Sequence, residues 1–198
     1  MTEVKFTGKW WLVTWTTFGT WLPGDPRGFQ TWRKREYVPP PRRYAQPDEV
    51  PYNASDYHFR HQRAKTRLSQ PPVFLTLNQT ETARDAILHE LGQMPMVPAI
   101  LAIDSIHVHL LAQFRIRIRS AVGRLKMRAT KWLHERGFEE NRVWVRVCHM
   151  KSKDTRDAMI AAFTYIHNHQ DEGALVHDWQ HPLFDGIRKS QADGMPSA

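Results

Sequence analysis

The chain has one cysteine, Cys148, among 198 residues, which excludes an internal disulfide framework and any zinc site built on paired thiolates. A bound metal would have to rely on His, carboxylate or amide donors. No stretch approaches the roughly 20 apolar residues that a membrane helix needs, and residues 1–8 lack the basic-then-apolar order of a secretory leader. A cytoplasmic protein with no membrane partner is therefore expected. Acidic residues are in deficit: 20 Asp and Glu against 28 Lys and Arg leave a net charge of +8. A polyanion, nucleic acid first, is the natural partner. A Walker-type glycine loop is also missing, so nothing suggests chemistry driven by a nucleoside triphosphate. What is present is an ordinary globular balance, 41% hydrophobic and 24% charged, enough to bury a core and too apolar for wholesale disorder.

Residues 9–18 (KWWLVTWTTF) are aromatic and β-branched and stop at Gly19, which reads as a first strand. The stretch from about 20 to 72 is rich in proline, with basic clusters at Arg33, Lys34, Arg35 and at Arg42, Arg43. It reads as a long Pro/Arg-rich insertion over the surface, with a short basic helix at 58–68. Regular structure is expected to resume with a strand at 73–77 and a helix at 80–93, capped by Asn78 or Thr80. Residues 96–103 and 106–114 read as a hairpin turning at Asp104 and Ser105. Residues 117–136 form the clearest helix, with Ile118, Val122, Leu125, Ala129 and Trp132 on one stripe. Val143, Val145 and Val147 alternate with Trp144, Arg146 and Cys148, which predicts a strand at 143–150. A last helix is expected at 154–169, capped by Ser152 or Asp154. From Gly173 onward the periodicity fades, so 173–198 reads as a loosely ordered tail. The order fits an α+β fold, a ferredoxin-like split βαβ plait with an antiparallel sheet and helices on one face. A single domain over 1–172 would then carry the insertion.

Chemistry concentrates at two places. Within the strand 106–114, alternation sends His107 and His109 to one face and Val108 to the other, so two imidazoles can converge on one cation. On the last helix, Tyr165 and His169 lie one turn apart on one face, where they can offer a hydroxyl nucleophile and a further ligand. A third feature is electrostatic. Arg117, Arg124, Arg128 and Lys131 recur at helical spacing, with Lys126 nearby, opposite the apolar stripe. They read as a DNA phosphate-binding face on which charge reversal at Arg124 and Arg128 would weaken binding and leave the fold intact.

The His-hydrophobe-His strand, followed about 55 residues later by a helical Tyr with a polar residue one turn on, resembles the single-tyrosine transposases of the HUH nuclease superfamily. The segment TWTTFGTWLPGDPRGF (14–29) is similar to the branch of REP-associated tyrosine transposases and related bacterial insertion-sequence enzymes. The resemblance spans roughly residues 10–170. It implies the ferredoxin-like plait, with His107 and His109 as ligands of a divalent cation (Mg²⁺ or Mn²⁺) and Tyr165 as the nucleophile that cleaves single-stranded DNA, the expected partner being a hairpin with a single-stranded flank. The third ligand is His169 or Gln170. Helix geometry places His169 about 40° from Tyr165 and Gln170 about 140° away, which favours His169. The implied activity is that of a metal-dependent single-strand DNA endonuclease and strand transferase working through a 5′-phosphotyrosine, as a monomer or a homodimer.

Blander readings stand beside this one. A His-x-His pair on a strand is most often structural, and a helical Tyr is most often a core or rim residue. On those terms the chain would be a non-catalytic single-stranded nucleic-acid binder on the same fold. A metal-dependent phosphodiesterase using water is the other alternative, with Asp104 as the nearest carboxylate in sequence.

Overall fold

The computed structural model describes residues 9–25, 29–30, 37–38 and 54–186, with backbone alone at 29–30, 37–38 and 54–57. The chain divides into two compact units, one formed by Met1–Thr17 with Phe74–Ala198 and the other by Phe18–Val73. The second unit spans the stretch read above as an insertion. Arg33, Lys34, Arg35, Arg42, Arg43 and the end of the tail, 187–198, lie outside the described residues.

In the larger unit, β1 (Trp10–Thr16) is an interior strand of a five-stranded sheet. In the smaller unit, Pro23 and Gly24 occupy the centre of a turn closed by the Asp25 N–H on the Leu22 carbonyl at 3.0 Å. Gly24 has φ +83°, the left-handed value that a type II turn demands at that position. Gly19, at φ +74°, has Pro72 Cα 3.1 Å from where a Cβ would stand, so neither conformation nor space admits a side chain. This unit also holds a two-stranded antiparallel ribbon, β2 (Phe29–Gln30) with β3 (Tyr37–Val38), and the helix α1 (Ala54–Lys65).

The larger unit continues with α2 (Leu77–Gly92), β4 (Met96–Ile103), β5 (His107–Phe114), α3 (Ile118–Glu135), β6 (His149–Lys153), α4 (Arg156–Asn168) and β7 (Leu175–Asp178). The sheet order is β6-β1-β5-β4-β7, with every neighbouring pair antiparallel. The first four of these strands give the plait order expected of a split βαβ, with β7 added at one edge. Among the described residues no helix is long and apolar enough to cross a membrane.

Several expected elements are corrected. Residues 71–76 form no strand. The helix starts at Leu77 because Thr76 caps it: its hydroxyl accepts the Gln79 N–H while Gln79 Oε1 accepts the Thr76 N–H, a reciprocal capping box. The valine alternation at 143–150 does not make a ladder strand either. The Val145 and Val147 carbonyls each accept from Lys126 Nζ at 2.9 Å, and Val147 is exposed. Pairing with β1 runs instead through β6, preceded by a single bridge from Thr17 to Trp144. The last helix is capped by the Thr155 hydroxyl. Residues 173–186 are no loose tail, since β7 pairs with β4 and Phe184 is fully buried against Trp10 and Phe163.

Helices cover both faces of the sheet, which corrects the expectation of one. Trp10, Ile100, Ala102 and Leu111 share a buried cluster with Met159, Ala162, Phe163 and Ile166 of α4. The residues of opposite parity, Val13, Trp15, Leu101, Ile103, Val108 and Leu110, are buried on the other side, where Lys126 of α3 lies 6.0 Å from the Trp15 ring. The α3 stripe is Ala121, Val122, Leu125, Ala129 and Leu133. Ile118 and Trp132 fall at its margin.

One buried carboxylate joins α2 to α3. Glu90 Oε1 accepts from Arg124 and Oε2 from Arg128, each at 2.9 Å to Nε. Burial alone would raise the Glu90 pKa, but the hydrogen bonds and charges of Arg128 and Arg124 reverse this and hold it below the usual 4.5. The two arginines are therefore not idle surface charges, and reversing them would strand a buried carboxylate. A carboxyl depressed in the folded state stabilises the fold above its unfolded pKa, and that stability is lost as pH falls through the folded value. Glu90→Gln is expected to lower unfolding free energy by about 1–3 kcal/mol at pH 7. In urea melts the gap from wild type should narrow as pH is taken below about 4; a gap independent of pH would show that the carboxylate charge does not join the helices.

Candidate histidine and tyrosine site

Strand parity places His107, His109 and Leu111 on the face of β5 that α4 covers. His109 lies opposite Thr14 of β1 in the antiparallel register and His107 opposite Thr16. Thr14 Oγ1 is 2.9 Å from His109 Nδ1. On the other flank of His109 the β4 neighbour is Ala102, small enough for a helix to approach closely.

The turn before β5 is built by Asp104. Its Oδ1 accepts the Ile106 and His107 N–H groups at 2.7 and 2.8 Å. Its Oδ2 stands 2.5 Å from His107 Nδ1, without the alignment of a ring N–H hydrogen bond. Burial would raise the Asp104 pKa, yet the His107 side chain and these two backbone donors lower it below the ordinary 3.8.

Helix α4 brings the remaining groups. Ala162, Phe163 and Ile166 anchor it in the core, which leaves Tyr165 half exposed and turned toward the histidines. The Tyr165 ring lies edge-on to His109 at 5.4 Å and to His169 at 4.8 Å between centroids. His169 is buried where the helix tightens into a 3-10 turn over His169–Glu172. Within that turn Glu172 Oε2 sits 2.9 Å from His169 Nδ1, as the i, i+3 eclipse of a 3-10 helix allows. The three imidazoles form one cluster, with centroid separations of 5.1 Å (His107–His109), 5.9 Å (His107–His169) and 4.6 Å (His109–His169). Gln170 is exposed, so His169 and not Gln170 joins the histidine pair in this geometry.

Burial and the neighbouring His107 and His169 push His109 down to about 3, with Asp104 opposing. Its ring is neutral near pH 7 and keeps a lone pair. The Tyr165 phenol is pushed above 10 by burial and then by the charges of Glu172 and Asp104, so it stays protonated at neutral pH. Among the described residues the buried Nε2 atoms of His109 and His169 find no hydrogen-bond partner, an expensive condition for polar atoms unless something binds there. As they stand, no three His, Cys, Asp or Glu side chains among the described residues are set to hold a metal ion. His109 and His169 stack at 14°, and in-plane lone pairs of near-parallel rings run side by side instead of meeting. The donors suit a divalent transition ion in kind, and gripping one requires the stack to open.

The basic helix lies elsewhere. Arg124, Lys126 and Arg128 belong to α3 on the opposite face of the sheet, Arg124 and Arg128 paired with Glu90 and Lys126 with two carbonyls. Burial pushes the Lys126 amine down to about 8, the Cys148 thiol opposing. Arg117 and Lys131 are exposed, Lys131 with Glu135 at 3.7 Å. Thr14 and Glu172 escaped the sequence reading. Thr14 needs the β1/β5 register to be found, whereas a carboxylate three residues beyond a helical His was a visible signal.

No protein-family model matches the chain, and neither does any curated protein. Among solved structures it is similar to a REP-associated tyrosine transposase bound to a REP hairpin, at 13% sequence identity and a TM-score of 0.46 over 87% of this chain and 74% of that one.

Proposed function

We propose that this chain is a metal-dependent single-strand DNA endonuclease and strand transferase that works through a covalent link at Tyr165. One observation carries the reading: a half-exposed phenol lies edge-on to two of three clustered imidazoles, two of which bury an unpartnered Nε2. A tyrosine serving the core would be buried, and histidines serving only as struts would have both ring nitrogens satisfied or in water. The resemblance of these motifs to single-tyrosine HUH enzymes supports the same assignment.

In this reading His107, His109 and His169 hold a divalent cation, Mg²⁺ or Mn²⁺, which when bound supplies Lewis-acid polarisation of a phosphate oxygen. Tyr165 is the nucleophile. Its oxygen attacks the scissile phosphorus, the bond from phosphorus to the 3′-oxygen breaks, and the phenolic proton is given up as the leaving oxygen gains one. The products are a 5′-phosphotyrosine and a free 3′-OH. Attack by another 3′-OH reverses the step, returns a proton to the phenol and transfers the strand without a nucleotide cofactor. Burial, and after it the charges of Glu172 and Asp104, raise the phenol further from ionisation, so the step depends on the polarised phosphate and on loss of the phenolic proton during attack. Arg117 and Lys131, with the exposed parts of Arg124 and Arg128, are the candidates for phosphate contact, and a hairpin with a single-stranded flank is the substrate to test.

Two outcomes check this. With such a hairpin and Mn²⁺, wild type should give a covalent protein–DNA adduct on a denaturing gel, and Tyr165→Phe none; an adduct in the phenylalanine variant would remove Tyr165 from the role. By calorimetry Tyr165→Phe should bind Mn²⁺ as wild type does, whereas His109→Ala should lose more than about 100-fold in affinity, beyond the effect of an outer-shell partner. Equal Mn²⁺ affinity in His109→Ala and wild type would rule out a histidine-held cation.

A further inference from the structure

The three imidazoles share a feature that nucleophile and ligand roles leave unexplained: each has its Nδ1 against an oxygen from a different part of the fold. For His169 it is Glu172, for His107 Asp104 and for His109 Thr14. We propose that Glu172 and Asp104 are positioning residues that fix His169 and His107 in the Nδ1–H tautomer, so that the cluster offers its lone pairs at Nε2. The proposal rests on the reading of these histidines as cation ligands and names what makes them competent.

Donors and acceptors decide the tautomer. An ionised carboxylate only accepts. A neutral His169 must carry its proton at Nδ1, because a lone pair aimed at Glu172 Oε2 at 2.9 Å would repel; at His107 the Asp104 charge at 2.5 Å favours a proton on Nδ1 without an aligned bond. The proton is then absent from Nε2, and a cation can bind there. In the other tautomer His169 would bury an N–H with no acceptor and present no lone pair to the cluster. Thr14 completes the set differently. Its hydroxyl can donate or accept, so it holds the His109 ring in place without dictating its proton.

Glu172 is the decisive member. It is 73% exposed, and among the described residues its one hydrogen bond is to His169. A hydrogen bond whose carboxylate partner is this exposed is screened by water and costs that side chain rotamer freedom, so it adds little to folding stability. Orienting a buried ring is the role left to it. Asp104 serves two ends, since it also closes the turn that launches β5. The Asn substitution keeps a turn acceptor there while removing the charge.

The test uses the full chain. Nitrogen-15 NMR of metal-free wild type should read His169 and His107 as Nδ1–H. Glu172→Ala should convert His169 to a tautomer mixture and weaken Mn²⁺ binding by about 10–100-fold, with an unchanged melting temperature. Glu172→Gln, whose amide oxygen still accepts, should fall between, and Asp104→Asn should act at His107. Failure of the proposal and of the cation reading are distinguishable. If Glu172→Ala leaves both the His169 tautomer and the Mn²⁺ affinity at wild-type values, Glu172 positions nothing. If no chain binds Mn²⁺ yet the tautomers shift as described, positioning stands and the cation reading falls.

Discussion

Parity along β5 is the constraint from which the rest follows. His107, His109 and Leu111 fall on one face, and Val108, Leu110 and Ala112 on the other. A slip of one residue against β1 would turn both imidazoles away from α4 and put the aliphatic set in their place. The register is held on both sides, since β5 is the central strand, with a regular ladder to β1 and a ladder to β4 that shifts register between Pro98 and Ile100. Through that register Thr14 arrives beside His109, and Ala102 leaves room for α4 to descend onto the pair.

The parts of the site that lie within one element were legible in the sequence. Alternation paired His107 with His109, and helical spacing paired Tyr165 with His169 and turned Gln170 away. Contacts between elements were not. Thr14 is one threonine among several in its strand until the β1/β5 register is known, and Glu90 reads as an ordinary helical carboxylate until α3 is laid against α2. The fold errors have the same origin. Val143, Val145 and Val147 alternate well enough for a strand, but Lys126 takes two of the carbonyls that a ladder would need. Residues 175–178 are too few to show a period, and become a strand because the edge of β4 is open to them.

The surplus of basic residues also divides by environment more than by number. Arg124 and Arg128 neutralise a buried carboxylate, Lys126 stitches a loop to α3, and Arg136 donates to the Thr82 hydroxyl. Each spends charge on holding the larger unit together. The helix that looked most like a nucleic-acid surface is thus partly internal scaffolding, on the face away from the histidines. Charge available to a polyanion must be counted after these pairs are removed.

Tyr165 on α4 and His169 in the 3-10 turn that continues it stand one turn apart, whereas His107 and His109 belong to the sheet. In the proposed reading Tyr165 and His169 are a nucleophile and a cation ligand on one rod, which cannot be displaced separately. Lifting α4 from the sheet would then leave two of three donors behind and carry the phenol away with the third. Cation occupancy and helix docking would be linked equilibria, each favouring the other by the same free energy. A chain with α4 undocked would be short of both nucleophile and Lewis acid, which would protect single strands nearby from stray cutting.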